Sequence, residues 1–381
     1  MEIRPYKINV SEEVLTDLNR RLDNTRWPKQ VENAGWDYGS NTEYIRELCS
    51  YWRNEYDWRA WEEKLNRYPS FIAECDGVDI RFWHVKGKGE NAFPLLLLHG
   101  WPGSSLEFFE MIGPLTDPAA YGGDPADSFD VVVPDLPGYG FSGKPKVSGW
   151  GAARVAAALN SLMTEGLGYD HYGTQGGDWG SMISARLGAL YPEHVSAIHL
   201  NFAFLPIPML DELPPEDMAR CKEQEAFDLW EGAYHLIQET KTDSLTLAQT
   251  DSPAGLAAWI VEKFRSWTDC GGDVESVCSK DILITNLMFY WAPNSVASAA
   301  RLYYESFHDP AKHWGAPDPH IPVKTAVAHF PGDPFNRPRS WAEKHYNIVR
   351  WTDMPAGGHF PGLEKPELLT EDMRSFYRDI R

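Results

Sequence analysis

Hydrophobic spacing changes character three times along the chain, and each change marks a different kind of structure. Up to about residue 93 the apolar positions recur at helical intervals. Ser11 can cap a helix carrying the Leu15, Leu18, Leu22 stripe, and S-N-T-E, Ser40 to Glu43, is a capping-box signature that opens a second. Trp58, Trp61 and Leu65 continue an apolar face. A helix pair of this kind is a weak core by itself, so it is predicted to lie against something larger. The run F-I-A-E-C-D-G-V-D-I-R-F-W-H-V alternates about a D-G turn and predicts a hairpin.

From residue 94 the pattern becomes P-L-L-L-L-H-G and F-D-V-V-V-P-D, short unbroken apolar runs that end in turn residues. Such runs suit strands buried on both faces, and so a parallel sheet. A-A-R-V-A-A-A-L-N-S-L-M-T-E-G, S-M-I-S-A-R-L-G-A-L-Y and the strand-like V-S-A-I-H-L-N-F then alternate helix with strand. Residues from 205 to 312 are helix-rich and aromatic, with brief turn signals, and read as an inserted helical cap. Strand and helix return at H-I-P-V-K-T-A-V-A-H-F and run to the end. The predicted plan is α/β: an N-terminal extension (1–93), a first core segment (94–204), the cap (205–312) and a second core segment (313–381) around a mostly parallel sheet with helices on both faces.

Composition narrows the class. A chain of 381 residues, 43% apolar and 13% aromatic, can bury a large core. Its formal charge of −20, from 55 acidic against 35 basic residues, gives no footprint for a phosphate backbone or an anionic membrane. The five cysteines (Cys49, Cys75, Cys221, Cys270, Cys278) are odd in number and show no C-x-x-C spacing, which indicates neither a disulfide framework nor a zinc site. A cytoplasmic location is expected. M-E-I-R-P-Y-K-I-N-V has no apolar signal core, and the runs near it fall short of the ~18 residues a spanning helix needs. No cofactor, metal, nucleic acid or membrane anchor is expected, and a homo-oligomer is left open.

One loop imitates two nucleotide-binding signatures. L-P-G-Y-G-F-S-G-K-P holds G-x-G-x-x-G (Gly138, Gly140, Gly143) and a near P-loop, but Pro145 stands where Ser or Thr is needed and K-P-K-V prevents a helix from opening on the glycines. It reads as a Gly-rich loop at a strand end.

G-T-Q-G-G-D-W-G-S, residues 173 to 181, is different. Gly176, Gly177 and Gly180 frame Asp178 between a strand end and a helix, the context of a nucleophile elbow, where a tight turn pushes the central side chain into the cleft. No G-x-S-x-G occurs in the chain, and Ser181 lies outside the glycine frame. A plain N-cap is the competing role for Asp178. H-G-W-P-G-S, His99 to Ser104, follows the L-L-L-L strand; read functionally, the backbone N–H groups of Trp101 and Trp179 form an oxyanion hole, and Trp101–Pro102 is a candidate cis bond. An ordinary strand-to-loop turn is the alternative. Of the twelve histidines, His359 in M-P-A-G-G-H-F-P-G-L-E lies in a glycine-bounded loop after the last strand and downstream of the nucleophile. Asp333, just past a strand end in A-V-A-H-F-P-G-D-P, suits the orienting acid better than Asp353.

An aspartate in that frame selects the electrophile. A serine alkoxide attacks an acyl carbon, whereas a carboxylate attacks saturated carbon and leaves an alkyl ester whose carbonyl is the enzyme's own. Epoxides and alkyl halides are the substrates that fit. Phenol donors in the cap would favour an epoxide, whose oxygen must be protonated. G-A-Y-H-L-I-Q and S-A-A-R-L-Y-Y-E-S-F place Tyr234 and Tyr303 there, although tyrosines on helices also serve amphipathic packing.

These pieces together resemble the microsomal-type epoxide hydrolases, α/β-hydrolases with an N-terminal extension. The resemblance spans nearly the whole chain: R-P-Y-K-I-N-V, H-G-W-P-G-S, P-D-L-P-G-Y-G-F-S, G-G-D-W-G-S, Y-H-L-I-Q, R-L-Y-Y-E, F-P-G-D-P and P-A-G-G-H-F. It implies Asp178 as nucleophile, His359 as base, Asp333 where some members have Glu, and Tyr234 with Tyr303, not Tyr304, as the epoxide-activating pair. It also implies a soluble enzyme without the anchor helix of membrane-bound members. Substrate choice is expected to depend on the cap and the loops around Trp101 and Phe141, whose aromatic supply suits a hydrophobic, aryl-bearing epoxide. A haloalkane dehalogenase, which shares the Trp after the Asp, and a non-catalytic binder of the same fold are the rival readings.

Overall fold

The computed structural model describes residues 1–203, 214–309, 320–335 and 337–381. The D-G hairpin forms as its alternation predicts: β2 (Ser70–Cys75) and β3 (Val78–Val85) pair antiparallel with Cys75 opposite Val78. Asp76 (φ 51°) and Gly77 (φ 78°) both adopt the positive φ that a two-residue turn matching strand twist requires. A short strand that the sequence pattern did not reveal, β1 (Ile3–Pro5), adds to the free edge of β2.

Ahead of the hairpin stand α1 (Glu12–Asp23), α2 (Thr42–Asn54) and α3 (Trp58–Leu65). Ser11 caps α1 through the Val14 amide, as expected. The cap of α2 is Asn41 and not Ser40: the Asn41 side chain accepts from the Glu43 and Tyr44 amides, while Ser40 donates to the Ala258 carbonyl. The shift has a physical reason, since Asn caps as well as Ser and frees the hydroxyl for a tertiary contact. Tyr51 and Tyr56 donate to or share hydrogen bonds with Asp281 and Thr285, so the extension lies against the cap as well as the sheet.

The core elements follow in order: β4 (Phe93–Leu98), α4 (Ile112–Thr116), β5 (Phe129–Pro134), α5 (Ala152–Ser161), β6 (Tyr172–Gly176), α6 (Asp178–Leu190) and β7 (Val195–Leu200). After the cap come β8 (Ile321–His329), α13 (Arg339–His345), β9 (Tyr346–Asp353), α14 (Pro361–Glu364) and α15 (Pro366–Tyr377). The nine strands are ordered β1-β2-β3-β5-β4-β6-β7-β8-β9, antiparallel from β1 to β5 and parallel from β5 to β9. Leu95 to Leu98 and Val131 to Val133 are fully buried, which explains their unbroken apolar runs. Helices cover both faces. A side chain on Gly173 would strike Tyr377 of α15, whereas Ile198, one residue past Gly173's partner Ala197, faces Gly188 of α6.

The described part of the cap is α-helical: α7 (Pro215–Glu231), α8 (Ala233–Thr240), α9 (Thr242–Asp251), α10 (Pro253–Trp267), α11 (Lys280–Trp291) and α12 (Val296–Phe307). Both ends of the expected 205–312 segment, 205–213 and 310–312, lie outside the described residues. No helix among the described residues is long and apolar enough to cross a membrane. Strand β4 is the switch point, with β5 to one side and β6 to the other, and a crevice at the carboxyl ends of such strands is where α/β sheets place their ligands.

Candidate active site

At the end of β6 the chain turns so tightly that Asp178 takes φ 48°, a left-handed conformation costing a non-glycine residue roughly 1–3 kcal/mol. Close approach keeps this turn in place. A Cβ on Gly180 would fall 1.8 Å from the Leu98 carbonyl oxygen, and one on Gly100 would fall 2.0 Å from Asp178 Oδ1. Asp178 is the first residue of α6, and Gly177 is its N-cap with no side-chain bond, so the carboxylate is not spent on capping. Ser181 is buried and donates to the Phe202 carbonyl.

The two carboxylate oxygens of Asp178 have different neighbours. Oδ1 accepts from the Trp101 amide at 2.8 Å, in the turn that carries the cis Trp101–Pro102 bond. Oδ2 faces Nε2 of His359 at 3.5 Å, an ion-pair distance longer than a good hydrogen bond. On the far side of the ring, His359 Nδ1 donates to both oxygens of Asp333 at 3.2 Å. Burial pulls the His359 pKa down, but the charge and hydrogen bonding of Asp333, together with the nearby Asp178 carboxylate, outweigh it and raise the pKa to about 10. Asp353, the competing acid, is bonded to His329 and largely exposed.

Cap helices supply the opposite wall. Tyr234 of α8 stacks on Trp101 with ring centroids 5.1 Å apart and planes 9° off parallel. Tyr303 of α12 stands edge-on to Trp179 at 4.7 Å, to Trp101 at 6.0 Å and to Tyr234 at 6.2 Å. Burial first, and then the charge of Asp178, lift both phenols well above their ordinary pKa, so they remain O–H donors. Tyr304, by contrast, is exposed and stacks on His308. Trp259 and Trp267 extend the aromatic surface around Trp101. The Phe141 ring packs against Phe289 of α11, and its amide donates to Asp135.

Asp178, His359, Asp333, Tyr234, Tyr303, Trp101 and Trp179 are thus gathered at one place although 258 positions separate Trp101 from His359 in numbering. Two buried acids beside them were not singled out from the sequence. Glu107, in the 3-10 turn Ser105–Met111, is pushed up to about 8 by burial, against the charge of His359 and the Gly362 amide. Glu364, the last residue of α14, accepts from the amides on both sides of His359. The signal was present in the sequence: each is a carboxylate enclosed by apolar neighbours, S-L-E-F-F and P-G-L-E. Asp135 plays a scaffold part, pairing with the fully buried Arg81 at 3.6 Å and holding the Gly138–Gly143 loop through Phe141.

A sheet with its switch point at β4, a nucleophile elbow after β6, an acid after β8 and a histidine after β9 define an α/β-hydrolase with an inserted helical cap. Residues 3–108 match the family model described as the epoxide hydrolase N terminus, and residues 94–366 match that of the alpha/beta hydrolase fold. Epoxide hydrolase 1 of Oryctolagus cuniculus is 36% identical, over 98% of this chain and 88% of its own. The solved juvenile hormone epoxide hydrolase of the silkworm Bombyx mori superposes with a TM-score of 0.90 at 32% identity, over 100% of this chain and 95% of that one. Aspergillus niger epoxide hydrolase does so with a TM-score of 0.87 at 29% identity, over 100% and 97%. The chain belongs to the microsomal-type epoxide hydrolase family, and its activity is that of an epoxide hydrolase, acting on an ether bond.

Proposed function

We propose that this enzyme opens its epoxide by attack of Asp178 on ring carbon and then hydrolyses the resulting ester. One observation carries the assignment of roles: Oδ1 of Asp178 is held by the Trp101 amide while Oδ2 is left facing His359. Oδ2 is the attacking oxygen. The bond from Oδ2 to carbon forms as the carbon–oxygen bond of the ring breaks, and the departing alkoxide takes a proton from the Tyr234 and Tyr303 pair.

Ester formation removes the charge of Asp178, and with it one of the causes that raise both phenols and His359. The phenols become better acids as the alkoxide needs a proton, and His359 gives up its own proton to restore them. Neutral His359, oriented by Asp333, then takes a proton from water attacking Cγ of Asp178. Negative charge collects on Oδ1, where the amides of Trp101 and Trp179 receive it. Collapse releases the diol oxygen, protonated from His359, and leaves Asp178 as the free acid; its proton passes to His359, which restores both the carboxylate and the resting imidazolium. The sum is epoxide plus water to vicinal diol.

The aromatic surround of Trp101, Trp259, Trp267, Tyr234 and Tyr303 supports a hydrophobic, aryl-bearing substrate. All five cysteines are free and buried, which supports a reducing, cytoplasmic setting. Replacement His359→Gln tests the mechanism: ester formation continues and its hydrolysis stops, so intact-mass and peptide mass spectrometry find one substrate equivalent on Asp178. A variant that turns over normally with Asp178 unmodified would falsify it.

A further inference from the structure

The backbone of the His359 loop is held by an arrangement that the chemistry above does not use. The His359 amide donates to the carbonyl of Trp267, the last residue of cap helix α10, at 2.8 Å. The amides on either side, Gly358 and Phe360, donate to Oε2 and Oε1 of Glu364, each at 3.0 Å. A third amide, that of Asp269 just beyond α10, donates to the same Oε2 at 2.8 Å. Asp269 accepts in turn from the Gly357 amide at 2.9 Å, and the Gly357 carbonyl accepts from Gly332, next to Asp333, at 2.9 Å.

One buried carboxylate therefore joins the end of a cap helix to the base loop, and through Asp269 and Gly357 to the acid loop. There is no slack in the contact: a Cβ on Gly358 would lie 2.6 Å from the Trp267 carbonyl oxygen and 2.8 Å from the Asp269 nitrogen. The residue type follows from the donors. Three N–H groups converge on two oxygens, and a carboxylate offers about four acceptor sites and no donor. An amide in its place would turn an NH2 toward at least one N–H whichever way it flipped.

We infer that Glu364 is the positioning residue that sets His359 for water attack and ties that setting to the cap. The inference rests on the ester mechanism proposed above. Its effect should fall on one step. Alkylation uses His359 as a nearby charge, and charge–charge attraction changes slowly with distance. Hydrolysis uses Nε2 as a directional acceptor from water, which weakens steeply with misalignment. The ring itself turns with its loop, because Trp267, Phe335 and Phe360 all meet it edge-on within 5.2 Å.

The test is Glu364→Gln, read by pre-steady-state kinetics with an epoxide such as styrene oxide. Alkylation should keep its rate and its full burst amplitude, while hydrolysis slows on the order of a hundredfold, the scale expected for a reacting group misplaced by about 1 Å. Alkylated Asp178 then accumulates at steady state. A purely structural loss would instead shrink the burst amplitude and leave the hydrolysis rate of the surviving enzyme unchanged, and that result overturns the inference. Should the Gln variant fail to fold, Glu364→Asp retains the charge but falls one methylene short of the three amides. Intermediate slowing of hydrolysis alone supports the inference, and hydrolysis at the parent rate overturns it. The His359→Gln enzyme is the control. If it traps the ester while both Glu364 variants hydrolyse normally, only the role of Glu364 is lost; if it traps nothing, the ester mechanism itself is lost.

Discussion

The Trp101 amide grips Oδ1 of Asp178 at 2.8 Å, and in the proposed mechanism this contact decides which carboxylate oxygen ends in the product. Oδ1 stays with the enzyme as the carbonyl oxygen of the ester, and Oδ2 leaves in the diol. Water replaces Oδ2. A single turnover in heavy-oxygen water should therefore place label in Asp178 and none in the first diol, with label reaching diol on later turnovers. Direct attack of water on the epoxide would label the first diol and leave Asp178 unlabelled, which mass spectrometry of product and active-site peptide distinguishes.

Tyr234 and Tyr303 meet at 6.2 Å between ring centroids and both answer to the charge of Asp178. If they share the protonation of the alkoxide, each single Phe variant keeps one donor. General acid catalysis is worth about 10²–10⁴-fold, so Tyr234→Phe and Tyr303→Phe should each slow alkylation on the order of tenfold or more, and the double variant on the order of a thousandfold. Stopped-flow tryptophan fluorescence on the alkylation phase measures this. Parent rates in the double variant would remove the phenols from the chemistry.

His359 predicts opposite pH responses for the two half-reactions. In the resting enzyme its pKa is raised to about 10, so its proton is present at neutral pH and is lost as pH rises through about 10. Alkylation should slow, without stopping, over that same interval, because the imidazolium charge near the developing phenolate and alkoxide is gone. In the ester the charge of Asp178 no longer supports the imidazolium, so the pKa drops and hydrolysis should rise with pH through a value below 10. Single-turnover rates measured between pH 6 and about 11 separate the two phases. A common inflection with the same sign in both would contradict the discharge of His359 by ester formation.

Local signals carried much of this structure. The D-G hairpin, the double-sided runs of β4 and β5, and the elbow around Asp178 are each dictated within a few residues, by turn chemistry, by burial on both faces or by glycine close approach. Asp333 was separated from Asp353 by chain order and strand position, and the structure puts Nδ1 of His359 against Asp333. What escaped depended on partners distant in sequence. β1 is three residues long and exists because the edge of β2 was free. Ser40 looked like a cap until a helix some 218 residues away offered the Ala258 carbonyl. Glu107 and Glu364 gain their meaning from a loop and a helix end that only folding brings together. The placement of Phe141 against Phe289 is likewise tertiary.

Glu107 offers a test of the buried charge pattern that does not depend on catalysis. Burial holds its proton to about pH 8, against an ordinary value of 4.5, with the charge of His359 and the Gly362 amide opposing. In the unfolded chain the same carboxyl ionises near its ordinary value. Between those two pH values the folded state binds more protons than the unfolded state, so this group's contribution to stability is complete below about pH 4.5 and declines steadily up to about pH 8. Above that it is constant. Glu107→Gln keeps the shape and removes the titration, so its melting temperature relative to the parent should climb across this window and then level off. Taking the difference between the two proteins cancels the titrating groups that do not act on Glu107; His359, which does, changes stability between its ordinary 6.5 and about 10, so the stretch from about pH 4.5 to 6.5 reads Glu107 alone. A difference independent of pH would mean that Glu107 is ionised in the fold, and its burial would then need a cation that His359 alone does not supply.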